Sequence, residues 1–164
     1  MTRWILFAVL AVFPFGGTVG GEKASEAPKP DMMDILGRYQ LQLPVGWGPS
    51  GTNSKLNGYV VSDSESSFVA VYEDGDFTVD DVPGVLSRMC GCSIPETAEI
   101  ELLEDSVYPA EIIVYSTGEE ILILGGTVFP DGMFGLVSIL DKREAIGSLK
   151  YALANARPGP ARTR

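Results

Sequence analysis

The chain contains no histidine. That removes Ser-His-Asp and Cys-His catalysis, His-ligated zinc and imidazole-based pH switching. Cysteine is almost as scarce. Cys90 and Cys92 are the whole supply, and two thiols alone do not close a structural zinc site. Basic residues are few: 12 Lys and Arg stand against 22 Asp and Glu in 164 residues, a net charge of −10. Neutralising phosphates takes clustered cations, so nucleic acid is not an expected partner. A surface this acidic points instead to basic partners or cations. The one basic run, Arg157, Arg162 and Arg164, lies in a Pro- and Gly-containing end, residues 157–164, read as a disordered tail. The apolar run at residues 4–15 falls short of the ~20 residues that span a membrane as a helix.

That run has another use. Arg3 precedes it, and small, flexible residues follow at 16–21. Residues 1–21 read as an export signal, with cleavage near Gly20 or Gly21. No cysteine stands directly after the run, so a lipoprotein anchor is not expected, and no stable membrane anchor is expected once the signal is cleaved. The expected location is secreted or periplasmic. Residues 22–36 read as a polar linker ending in a short helical turn, with Asp31 as its cap and Gly37 as its breaker. The remainder, residues 37–156, has the length of one α+β domain, and an apolar content of 45% supplies it with a core.

Periodicity places the elements. Tyr39, Leu41 and Leu43 alternate with Gln40 and Gln42, the pattern of a half-buried strand. Residues 58–62 and 67–72 read as two more strands, and 98–104 as another. Residues 50–57 are polar and read as exposed, with no strand assigned to them. Val82, Val85, Leu86 and Met89 mark one face of a helix, with Asp80 or Asp81 as its cap, Pro83 in its first turn and Gly91 at its end. Strands at 110–116, 120–129 and 133–140 follow, joined by turns at Thr117-Gly118 and Pro130-Asp131-Gly132. These three are apolar on both faces, which requires cover on both sides of the sheet. A last helix, capped by Asp141 with Glu144 completing a capping box, offers Ile146, Leu149 and Leu153 as one such cover. The fold expected is an antiparallel sheet of about six to seven strands sandwiched between helices.

The segment Tyr39-Gln40-Leu41-Gln42-Leu43-Pro44-Val45-Gly46-Trp47, with the long meander and closing helix at 110–155, resembles the PsbP-like superfamily. That group is named for an extrinsic subunit of photosystem II and shares its fold with a Ran-binding nuclear import factor. The resemblance spans roughly residues 37–155. It implies a sheet between helices and non-catalytic roles as adaptor or assembly factor. It implies no catalytic motif and no cofactor.

Cys90 and Cys92 form the sharpest local feature. In an exported protein two thiols are expected to be oxidised. A Cys-x-Cys ring is small and strained, which makes thiol–disulfide exchange one reading. The position argues for the other reading, an inert structural pair. Cys90 falls at a helix C-terminus, where the dipole disfavours a thiolate, and Cys-x-x-Cys spacing is absent. Asp74, Asp76, Asp80 and Asp81 suggest a calcium loop, but Val79 and Val85 stand where the sixth-position Gly and twelfth-position Glu belong. No metal site is expected. Glu99, Glu101 and Glu104 read as the wet face of a strand, not a glycosidase pair. Gly46 and Gly51 have the outer spacing of a phosphate loop, with Thr52 in place of its Lys, and are rejected. Thr52 and Lys55 are a weak nucleophile pair. Trp47, although in a loop, reads first as a plug over the core. If a working surface exists, it is expected on the loops around Trp47, Asp74, Asp76 and Cys90. The leading reading is an exported non-catalytic domain that binds a protein or envelope partner. The alternative is a thiol–disulfide redox protein.

Overall fold

Strand β1 (Met32–Ile35) opens the fold, followed by β2 (Tyr39–Gln42), β3 (Gly48–Asn53), β4 (Gly58–Ser62) and β5 (Ser67–Asp74). Then come α1 (Val82–Cys90), β6 (Glu99–Leu102), β7 (Ala110–Thr117), β8 (Glu120–Phe129), β9 (Gly132–Leu140), α2 (Ile146–Ala154) and β10 (Arg157–Pro158). Single 3-10 turns, Val79–Asp81 and Arg143–Ala145, lead into the two helices. This computed structural model describes residues 32–35, 37–140 and 143–159. The export signal, most of the linker, Asp31, Asp141 and residues 160–164 lie outside the described residues.

Seven strands form one antiparallel sheet in the order β3-β4-β5-β9-β8-β7-β6. The two-sided hydrophobicity of β7, β8 and β9 has the expected cause: the sheet is covered on both faces. On one face Ile112, Val114, Ile123, Phe134 and Leu136 pack with Leu149, Ala152 and Leu153 of α2. On the other, Ile113, Tyr115, Leu124, Met133 and Val137 pack with Val82, Val85 and Leu86 of α1. Each Leu or Ile so buried contributes roughly 1.5–3 kcal/mol. The α+β sandwich is therefore the observed architecture.

The helices sit close because glycine lines their seats. Gly126 of β8 and Gly135 of β9 are cross-strand partners. A Cβ on Gly126 would lie 2.7 Å from Val82 Cγ1, and one on Gly135 would lie 2.8 Å from Leu86 Cδ2. Strand α-carbons thus touch α1 side chains directly. On the opposite face a Cβ on Gly125 would collide with Leu153 of α2.

Four sequence expectations change. Residues 32–35 are a strand and not a helical turn, paired so that Met33 opposes Leu41 and Ile35 opposes Tyr39. Asp34 is the reason the chain turns back: its carboxylate accepts from the Gly37 N–H at 2.7 Å, a turn contact that competes with helix. The polar stretch after Trp47 is strand β3, held by pairing with β4 despite a bulge between Pro49 and Gly51. β2 is not in the main sheet. It lies between β1 and β10 in a three-stranded sheet of its own, whose Tyr39 and Leu41 pack on the α2 face. The seven strands are thus counted correctly but with β3 in the place given to residues 39–43. Finally, the start of the supposed disordered tail is ordered. Arg157 opposes Gln40, Pro158 opposes Tyr39, and the Gly159 N–H donates to Arg38 O at 2.7 Å.

The start of α1 also differs in detail. Thr78 and Asp81 cap the preceding 3-10 turn, with the Asp81 carboxylate accepting from the Thr78 N–H and hydroxyl, both at 2.8 Å. These bonds, the amide first, hold the Asp81 carboxyl below its usual range. Pro83 stands in the first turn of α1, where its missing N–H leaves no bond unmade.

Candidate functional site

The residues singled out from the sequence do not meet in one place. Trp47 is buried, at 8% exposure, with its ring 5.6 Å from that of Phe68 on the α2 face. It plugs the core and presents no platform. Cys90 and Cys92 are half-buried on the opposite face, packed against the α1 cluster. Asp74 ends β5 and is held by Arg38, whose Nη1 donates to it at 2.7 Å. The same guanidinium lies over the Tyr72 ring, 5.5 Å from its centre. This contact ties the small sheet to the end of the large one. Asp76 is exposed in the turn that follows.

Gly91 ends α1 in the left-handed region, at φ +64°, which places Cys92 back over the last turn. The N–H groups of Gly91 and Cys92 both donate to Ser87 O, and the Ser87 hydroxyl donates to Cys92 O. The two sulfurs lie within bonding reach across Gly91, with Cα atoms 5.3 Å apart. A pair only two residues apart is not a typical structural disulfide. Its place is the carbonyl end of α1, where the helix field disfavours a thiolate. Among the described residues no three His, Cys, Asp or Glu side chains are grouped to hold a metal ion.

The feature that sequence reasoning missed lies at one edge of the main sheet. β6 is the last strand and is exposed along its length. Glu99 and Glu101 lie on the α2 face, opposite Val114 and Ile112. Arg143 donates to both oxygens of Glu99 at 3.3 and 3.2 Å, and Lys150 bonds both oxygens of Glu101 at 2.7 and 2.6 Å. The Arg143 hydrogen bonds, and then its charge, pull the Glu99 carboxyl below its usual range. Ile100 and Leu102 face the other way and are 55% and 57% exposed, because α1 does not reach this end of the sheet. Val107, 56% exposed, is tethered nearby through its N–H to Ala154 O at 3.1 Å. Tyr151 of α2 adds a fourth exposed apolar group. Leu102 and Tyr151 border one groove of about 680 Å³ between the strand end and α2. Of the seven large apolar side chains exposed among the described residues, four therefore gather at this edge. The alternation Glu-Ile-Glu-Leu was its sequence signal. Alternation normally marks one buried face, and here neither face is buried.

A second cleft, of about 890 Å³, lies at the far ends of β4, β5 and β9. It is bordered by Ser62, Glu65, Ser67, Ile139, Glu144 and Ser148, and by none of the candidate residues above.

No protein-family model matches the sequence, and no curated protein matches it. Solved structures do. A crystal structure from Bacteroides thetaiotaomicron VPI-5482 is similar over 83% of this chain, with a TM-score of 0.57 and 9% identity. The chain spans about half the length of that protein, 50%. The solution structure of cyanobacterial PsbP (CyanoP) from Synechocystis sp. PCC 6803 is similar over 85% of this chain and 98% of its own, with a TM-score of 0.49 and 12% identity. At 9% identity, the likeness to the Bacteroides structure concerns the fold alone. No helix among the described residues is long and apolar enough to cross a membrane.

Proposed function

We propose that this chain is an exported, non-catalytic domain that binds a protein partner through the β6 edge. The observation that carries the reading is the open edge of β6, with Ile100 and Leu102 exposed on its α1 face and Val107 and Tyr151 exposed on the α2 side. Exposed apolar groups beside an open strand edge, rimmed by charge, mark interaction surfaces. Export rests on Arg3, the apolar run at 4–15 and the small residues after it. Thiol exchange is the weaker reading, because the helix end beside Cys90 and Cys92 opposes the thiolate it needs.

Photocrosslinking in cells carrying the full chain tests the reading. A benzoylphenylalanine at position 102 is expected to trap one discrete adduct. The same group at Val45, exposed at 81% and outside this edge, is expected to trap none. The chain recovered outside the cytoplasm should begin after residue 20 or 21 by mass spectrometry. Absence of an adduct from position 102, or equal adducts from both sites, removes the proposed surface.

A further inference from the structure

The two edges of the main sheet are built differently. β3, at one end, carries Pro49 and a bulge between Pro49 and Gly51, two devices that spoil an edge as a pairing template. β6, at the other, has neither. Its register with β7 is unbroken from Glu99 to Leu102. The Leu103 N–H donates to Ala110 O at 2.9 Å, which fixes the direction of the backbone groups. Odd-numbered residues bond inward to β7, so by alternation the N–H and C=O of Ile100 and Leu102 point outward.

The side chains beside those groups set what can pair there. A strand added along β6 would place alternate residues against Glu99 and Glu101 on the α2 face, and the others against Ile100 and Leu102 on the α1 face. The segment 96–105 carries five carboxylates, Glu96, Glu99, Glu101, Glu104 and Asp105. Arg143 pairs with Glu99 and Lys150 with Glu101, so the acidity left at this edge is that of Glu96, Glu104 and Asp105. A second copy of the chain fits poorly. Antiparallel self-pairing centred on Ile100 sets Glu99 opposite Glu101 twice, and centring on Glu101 sets it against itself. Like charges directly opposite destabilise a pair.

We propose that β6 accepts, as an eighth strand, an extended segment of a partner protein in which apolar residues facing Ile100 and Leu102 alternate with basic residues on the α2 face, where they answer the negative charge left by Glu96, Glu104 and Asp105. Backbone hydrogen bonds to Ile100 and Leu102 would supply affinity, and the alternation would supply selectivity. This deepens the protein-binding reading above and rests on it.

The test uses the full chain and fluorescent eight-residue peptides, read by anisotropy. A Lys-Val alternating peptide is the probe. A block peptide, four Lys then four Val, controls for charge and composition. A Glu-Val alternating peptide controls for sign, and an alternating peptide N-methylated at every second residue removes the strand hydrogen bonds without touching the protein. The Lys-Val peptide is expected to bind about tenfold or more tighter than each control, a difference of roughly 1.4 kcal/mol. Ile100→Pro, which removes one outward N–H and no inward one, should weaken it comparably. Glu104→Lys, at an exposed position outside the strand, should weaken it less. Equal binding of block and alternating peptides, or no effect of N-methylation, overturns strand addition. An adduct at position 102 together with no Lys-Val binding would sink this inference and leave the protein-binding reading standing. Loss of the adduct would remove that reading itself. A dimer formed through β6 would name the second copy as occupant and overturn the partner proposed.

Discussion

Thr127 and Ser138 are buried with their hydroxyls donating to Leu153 O and Ser67 O, at 2.8 and 2.6 Å. Glu111 is buried too, at 6% exposure, and its Oε1 has no hydrogen-bond partner among the described residues. Burial first, and the charge of Asp80 second, push its carboxyl above the usual range. The folded chain therefore binds this proton more tightly than the unfolded chain does. The contribution to stability is complete below the unfolded value near 4.3 and is lost as pH rises through the raised folded value. Glu111→Gln removes the charge and keeps the shape. It is expected to raise stability at pH 7 by about 1 kcal/mol, or ~3 °C in melting temperature. The gain should vanish near pH 4, where the wild-type group is protonated. Melts of both proteins across pH 4–8 check this, and a gain that persists at pH 4 would assign the effect to packing. Little of this was legible beforehand. Glu111 sits in an apolar run, and nothing in the run says that its side chain stays under α1 beside Asp80.

The elements divide by what holds them. β7, β8, β9 and the apolar face of α1 were legible because their own side chains make the core, so hydrophobic pattern and structure coincide. β3 and β10 were not. Gly-Pro-Ser-Gly-Thr-Asn has poor strand propensity, and it is a strand because β4 lies beside it. β1 was misread because its apolar residues look the same over four positions in a helix or a strand. The glycines of β8 were legible as residues but not as seats, since their role depends on which helix crosses them. Gly126→Ala should cost about 1–3 kcal/mol by pushing Val82 and Met133 outward. Gly84→Ala, in α1 with nothing within 4 Å of the new methyl, should instead gain about 0.5–1 kcal/mol. Urea denaturation of the two variants checks the opposite signs, and a destabilised Gly84→Ala would place a neighbour where the structure has open space.

At the scale of the whole molecule, one sheet carries both cores, so the α1 and α2 faces should melt together. The Cys90–Cys92 link closes only a few residues of chain, and a loop that small constrains the unfolded state by only about 1.5 kcal/mol. Replacing both cysteines with serine is expected to keep one cooperative calorimetric transition, lowered by no more than ~6 °C. Two transitions, or a far larger fall, would make the pair a staple of the α1 face. The candidate surface at β6 was the least legible feature of all. It arises from where a short strand falls in the sheet order and from how far α1 extends, and both are products of assembly. The unequal edges also fix a valency. Head-to-tail stacking of sheets needs an open strand at each end of every copy, and an open heterologous contact of that kind grows without limit. Pro49 and its bulge stop one end, so whatever joins at β6 caps the molecule and does not begin a filament.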